Sequence, residues 1–207
     1  KTVLLRVDYN VALENGKVVE PKRIKATIAT LRYLLERDAK IVVLSHLGRP
    51  KGRDLKFSLK PVAEVLAQLA RQEKLRVAAC SLWEGSFTSE ELTHRVRALQ
   101  PREILLLENL RFDSGEEKND PNFAKALARL GDCFVQDAFG ALHRAHASTD
   151  QLPRLLPNAF GLLVQKELEV LGKLLKNPPK PFIAILGGLK VSDKIAAIEN
   201  LLNNGID

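Results

Sequence analysis

A doubly wound parallel α/β sheet, a Rossmann-like three-layer architecture, is the fold that three features of this sequence predict. Short apolar runs recur along the chain without strict alternation, as expected of strands buried on both faces. Segments with helical apolar spacing lie between them. Polar residues able to do chemistry follow directly after the apolar runs. Strands alternating with helices imply right-handed crossovers and parallel pairing.

In chain order, VLLRV (3–7) predicts the first strand, and Ile24, Ile28, Leu31 and Leu35 form the stripe of a first helix. IVVLS (41–45) is the next strand, followed by a helix on Leu59, Val62, Leu66 and Leu69. LRVAAC (75–80) predicts a strand, and Thr88 to Glu91 reads as a capping box opening a helix on Leu92, Val96 and Leu99. ILLL (104–107) comes next, then Asp120-Pro121, an N-cap followed by proline at the first helical position. CFV (133–135) is a further strand. A long helix on Val164, Leu168, Leu171 and Leu175 stops at Asn177-Pro178-Pro179, and FIAIL (182–186) predicts a last strand before a last helix. The domain expectation is an α/β domain over 1–160, a connecting helix over 161–177, and over 181–207 the start of a second domain. Neither an internal repeat nor a low-complexity segment is visible.

Apolar residues make up 45% and charged residues 28%, ordinary values for a globular chain with a sizeable core. The net charge of +7 suits an anionic partner without naming it. Nucleic acid would want a basic stripe interleaved with stacking aromatics, and aromatics are 5% with the basic residues scattered. No apolar stretch is long enough for a membrane span. No signal peptide is visible, and Cys80 and Cys133 read as free thiols, so the expected setting is the reducing cytoplasm.

The loops after the strands carry the chemistry. Asp8-Tyr9-Asn10 follow the first run, His46-Leu47-Gly48-Arg49 the second, Glu108-Asn109-Leu110-Arg111 the fourth, and DAFGALHRAHAST (137–149) the fifth. In a parallel sheet these points share the carboxyl edge, where open α/β sheets bind ligands. Arg23, opening the first helix, reaches the same rim. Arg23, Arg49, Arg111, Arg144 and His46 would repel one another around a small pocket unless an anion neutralised them, and arginine's planar fork matches phosphate and carboxylate oxygens. Asp8 and Asn10 suit a hydroxyl. The predicted ligand is a small hydroxylated polyanion, a sugar-phosphate or phospho-acid, although any one of these arginines alone could be a solvated surface residue. His143 and His146 have no third ligand at a recognisable spacing, so no metal is expected. No serine or cysteine sits in a nucleophile elbow. In FIAILGGLKVSDK, Gly187-Gly188 at a helix start with Lys190 and Lys194 suits a phosphate, the alternative being a tight turn with two solvated lysines. The order of glycines and lysine is not that of a Walker A loop.

Together RVDYNV (6–11), SHLGRPKG (45–52), LLENLRF (106–112), GEEKNDP (115–121), DAFGALHRAHAST (137–149) and GGLKVSDKI (187–195) resemble the phosphoglycerate kinase family in order and spacing. The resemblance implies a two-domain hinge enzyme of glycolysis whose amino-terminal domain holds 3-phosphoglycerate or 1,3-bisphosphoglycerate and whose carboxyl-terminal domain holds ADP or ATP with Mg2+. By it, Asp8, Asn10, Arg23, His46, Arg49, Arg111 and Arg144 bind the phosphoglycerate. Lys190, helped by Arg23, stabilises the phosphoryl group in flight. Gly187, Gly188 and Lys194 meet the nucleotide phosphates, and the two histidines support the clamp structurally. The sequence departs from the family at Ala12, at Glu20-Pro21-Lys22, at Leu142, at Leu189 and at Asp150-Gln151-Leu152-Pro153. The chain stops at Asp207, where most of the nucleotide site would still follow. On that basis the chain alone is expected to be inactive and to bind no nucleotide tightly, with a carboxyl-terminal domain or self-association needed to complete it. The alternative is a stand-alone phosphoglycerate-binding or purely structural fragment.

Overall fold

A computed structural model describes residues 1–176, 180–185 and 195–203. The chain divides into two compact units, Lys1–Val164 and Gln165–Asp207.

In the first unit the apolar runs become strands because they bury both faces. β1 (Thr2–Arg6), β4 (Lys40–Leu44), β5 (Ala79–Trp83), β6 (Glu103–Leu107), β7 (Cys133–Gln136) and β8 (Asn158–Phe160) form one sheet in the order β5-β6-β4-β1-β7-β8. Every pairing in it is parallel. Val3, Leu5, Ile41, Val43, Ile104 and Leu106 face one side. There they meet α1 (Lys22–Lys25), α2 (Ile28–Leu35) and α3 (Lys60–Gln72). Leu4, Val42, Leu44, Leu105 and Leu107 face the other side, against α4 (Glu90–Arg97) and α6 (Pro121–Ala128). Each fully buried Leu or Val is worth about 1.5–3 kcal/mol. That is why unbroken apolar runs, rather than alternation, mark these strands. The fold class is the doubly wound α/β sheet the sequence predicts.

Five details differ from the sequence reading. The first helix is two, because the Thr27 hydroxyl donates to the Ile24 carbonyl at 2.9 Å and ends α1 before α2 begins. β5 starts at Ala79, because Leu75 closes the end of α3, its N–H on the Ala70 carbonyl at 2.9 Å. The cap of α4 is Ser89, which accepts from the Leu92 N–H at 3.2 Å, while the Thr88 hydroxyl lies 3.2 Å from that of Ser86. Residues 182–185 form no strand, and no described strand pairs with them. The small hairpin β2 (Leu13–Glu14) and β3 (Lys17–Val18) was not anticipated. It turns on Asn15 and Gly16, both at positive φ, as a two-residue hairpin requires.

The Asp120 cap of α6 is as expected, accepting from the Asn122 and Phe123 N–H groups. A short helix α5 (Ser114–Glu117) precedes it. α7 (Leu162–Lys176) forms over the expected apolar stripe, with Val164 buried and Leu168 and Leu171 exposed. In the second unit α8 (Ile195–Asn203) is described. Cys80 and Cys133 are free and partly buried, and burial pushes the Cys80 thiol up to about 11. No described helix is long and apolar enough to cross a membrane.

Candidate functional site

The turns after β1, β4, β6 and β7 leave the same edge of the sheet, since these strands are parallel and adjacent. Hydrogen bonds knit the first three together. The Asn10 amide oxygen accepts from the Gly48 N–H at 2.8 Å, joining the turns after β1 and β4. Arg111 donates through Nη1 to the Gly48 carbonyl, joining the turn after β6 to both. Gly48 sits at φ 61 with the Phe57 ring where a Cβ would be, so no side chain fits this junction. Asp8 pairs with Arg23 on α1, and a Cβ on Gly140, in the turn after β7, would stand 2.6 Å from Asp8 Oδ2.

Much of the polar content of this edge holds the frame rather than facing a ligand. Glu108 is buried and accepts from the Leu59 N–H, the Asn109 N–H and the Ser58 hydroxyl, at 2.6, 2.8 and 2.7 Å. It therefore anchors the start of α3. Asn109 exchanges hydrogen bonds with both the N–H and the carbonyl of Leu47. Asp137 is buried and accepts from the Leu163 and Val164 N–H groups at 3.0 and 3.3 Å, capping α7 from a distant turn. Gly161 is required beside it, because a Cβ there would overlap the Asp137 carboxylate.

The cations remain. Arg111 is 4% exposed, its Nε 3.1 Å from Glu117, and its Nη2 has no hydrogen-bond partner among the described residues. Burial lowers its pKa, Glu117 opposes that, and Arg144 and Arg49 lower it further. Arg144 keeps a buried Nε without a hydrogen-bond partner among the described residues. Arg49 is exposed, and Arg23 is half exposed. His46 is 3% exposed, and burial, followed by Arg6, Arg111, Arg144 and His146, drives its pKa down to about 2. It is a neutral member of the cluster. Buried guanidinium N–H groups left unpaired beside like charges are the donors that an anion would satisfy.

Asp8, Asn10, His46, Arg49, Arg111 and Arg144 lie on the turns after β1, β4, β6 and β7, and Arg23 lies on α1. Gly187, Gly188, Leu189, Lys190 and Lys194 lie outside the described residues. Of the two histidines in the opening of the fifth loop, His146 is partly buried and its backbone joins the Thr149 turn, whereas His143 is exposed, so the structural support expected of both falls to His146. The unusual stretch 150–153 is accommodated by a π turn over Ala147–Gln151 that buries Leu152 in the core. Sequence reasoning missed Arg6, Glu116 and Ser148, which form a fully buried polar group behind the rim. Arg6 is the only charge within an otherwise apolar strand, and that was the available signal.

A protein-family model described as phosphoglycerate kinase matches residues 1–207. The phosphoglycerate kinase of Finegoldia magna is 48% identical over 204 residues, which cover 98% of this chain and 50% of the relative. That of Thermus thermophilus is 52% identical over 202 residues, with 98% and 50% covered. Among solved structures, phosphoglycerate kinase from Coxiella burnetii superposes with a TM-score of 0.83 at 38% identity, covering 98% of this chain and 49% of that one. The enzyme from Pyrococcus horikoshii OT3 gives 0.83 at 33%, covering 98% and 50%. The chain spans about half the length of the relatives it matches.

Proposed function

Because the chain belongs to the phosphoglycerate kinase family, we propose that it carries the phosphoglycerate-binding half of a glycolytic enzyme. The whole reaction moves a phosphoryl group reversibly from 1,3-bisphosphoglycerate to ADP, giving 3-phosphoglycerate and ATP. The observation that supports this most is the joining of three turns by hydrogen bonds, beside guanidinium groups whose donors are unpaired among the described residues. In this reading Arg23, Arg49, Arg111 and Arg144 take the phosphate and carboxylate oxygens of phosphoglycerate. Asp8 and Asn10 take its hydroxyl, and His46 adds a neutral donor. A cytoplasmic location goes with that role.

Phosphoryl transfer in such enzymes is mostly positioning and charge stabilisation, without a covalent intermediate. Lys190, with Arg23, is proposed to stabilise the phosphoryl group in flight, and Gly187, Gly188 and Lys194 to meet nucleotide phosphates. Family membership supports that part, since Gly187, Gly188, Lys190 and Lys194 lie outside the described residues. Mg2+ would enter with ADP or ATP, and among the described residues no group of three His, Cys, Asp or Glu could hold a metal ion. The phosphoglycerate half alone loses the alignment of two substrates, worth about 7–11 kcal/mol. The 207-residue chain by itself is therefore proposed to bind phosphoglycerate and to turn over no nucleotide. Titration calorimetry with 3-phosphoglycerate should give saturable, salt-sensitive binding, and a coupled ADP/ATP assay should stay at background. No measurable binding would reduce the chain to a structural fragment. Turnover that scales with protein and vanishes in Lys190→Ala would show that it is catalytic alone.

A further inference from the structure

Behind the rim, Arg6 of β1 is fully buried and every one of its recorded contacts has a forced direction. A guanidinium only donates. Arg6 Nε lies 2.8 Å from the Ser148 hydroxyl, so that oxygen must accept, and its single proton goes to Glu116 Oε1 at 2.6 Å. Glu116 also accepts the Ser148 N–H at 2.9 Å and stands 3.8 Å from Arg6 Nη2. Arg6 Nη1 donates to the Val7 carbonyl. The remaining contact is Nη2 to His46 Nδ1, at 3.1 Å. That ring nitrogen must accept, which leaves the proton of a neutral imidazole on Nε2.

We propose that Arg6, held by Ser148 and Glu116, is a positioning residue that locks His46 as the Nε2–H tautomer, so that the site meets its anion with a fixed neutral donor. This deepens the phosphoglycerate reading and rests on it only for what the donor serves. The charges around His46 all act in the same sense. Arg6 from β1, Arg111 from the turn after β6, and Arg144 and His146 from the segment after β7 each disfavour a second proton on the ring. A histidine that lost Arg6 would be free to take either tautomer, and the Nδ1–H form would present a lone pair on Nε2 to an anion.

The test uses the intact chain with 15N-labelled histidine, the His46 signals being assigned among the four histidines by their loss in His46→Gln. Long-range proton–nitrogen spectra of the wild type should show protonated Nε2 and unprotonated Nδ1 for His46, unchanged from pH 8 to pH 5. An Nδ1–H tautomer, or a ring that titrates near pH 6.5, would overturn the proposal without any variant being made. In Arg6→Lys, which keeps the charge, a mixture of tautomers or a titrating ring is expected, with 3-phosphoglycerate affinity falling roughly tenfold, the scale of one hydrogen bond to a charged group. An Arg6→Lys protein with an unchanged His46 tautomer and weaker binding would mean that Arg6 is merely structural. A correct tautomer in a wild type that binds no phosphoglycerate would instead sink the proposed function and leave the lock standing.

Discussion

On the side of the rim formed by the turns after β4 and β6, Arg111 is 4% exposed, donates to the Gly48 carbonyl and stands beside Glu117. On the side formed by β1 and α1, Arg23 leaves about half of its side chain in solvent and is recorded with one partner, Asp8. The first side is built from its neighbours inward. Asn109 grips Leu47 by both N–H and carbonyl, and Glu108 pins the start of α3. The second side is one exposed ion pair at the start of a four-residue helix that has no side-chain cap. The difference teaches where affinity should reside. A donor fixed in a desolvated wall acts at low dielectric and is ordered before the ligand arrives, whereas an exposed ion pair is screened and must give up its partner.

The largest expected effect comes from breaking the built side at its junction. Gly48→Ala forces a left-handed backbone on an alanine, about 1–3 kcal/mol. It also pushes a methyl into the Phe57 ring, about 1–3 kcal/mol more. Urea unfolding should register the sum. A variant as stable as the wild type would mean that the turn is not the fixed point described here.

The two arginines measure the comparison itself. Arg111→Met should weaken 3-phosphoglycerate binding by about 2–5 kcal/mol, the range for losing a desolvated partner. Arg23→Ala should weaken it by about 1 kcal/mol or less, as for an exposed pair. Calorimetry on both variants decides. Equal losses would erase the distinction, and a larger loss at Arg23 would reverse it.

The neutral His46 makes a smaller, graded prediction. Its folded pKa, about 2, lies below the usual 6.5. Between these values the unfolded chain binds a proton that the folded chain does not. Stability is therefore fully present above pH 6.5 and falls as pH drops, by about 1.4 kcal/mol per pH unit from this group. His46→Gln should flatten that part of the stability profile. An unchanged slope would mean that His46 takes a proton in the folded protein.

The alternation of apolar runs with helical stripes was enough to predict the sheet, because strands buried on both faces leave no other pattern. The rim was legible for a related reason: in a parallel sheet each turn after a strand reaches the same edge, so Arg49, Arg111 and Arg144 could be grouped from position alone. What escaped was set by contacts distant in sequence. Arg6 finds Ser148 across 142 positions, and the lone charge in VLLRV names no partner for it. Asp137 looked like a rim residue, yet its carboxylate faces the first turn of α7, a use visible only once Gly161 brings the chain back past it. β8, with three exposed residues, lacks the apolar run that marks the other strands and forms because β7 offers it an edge.

Asp137 supplies the smallest predicted effect, since Asp137→Asn changes no shape. Two influences oppose each other there. Burial raises the carboxyl pKa and is the largest influence, while the Thr30 side chain, followed by the Val164 and Leu163 N–H groups, lowers it, and the helix dipole also favours a negative charge at the start of α7. A raised pKa means that the folded chain retains a proton which the unfolded chain has released. The contribution of this group to stability is then full below its unfolded value, near 3.9, and is lost as pH rises through the folded value. Asparagine keeps an oxygen for the same N–H groups and places its NH2 where Oδ2 has no hydrogen-bond partner among the described residues. The variant should therefore gain on the wild type as pH rises through that window, with the gap constant at higher pH. Urea unfolding at a series of pH values would show it. A gap that moves the other way would mean that the helix dipole and its N–H groups outweigh desolvation, and that Asp137 caps α7 as an anion at no net loss.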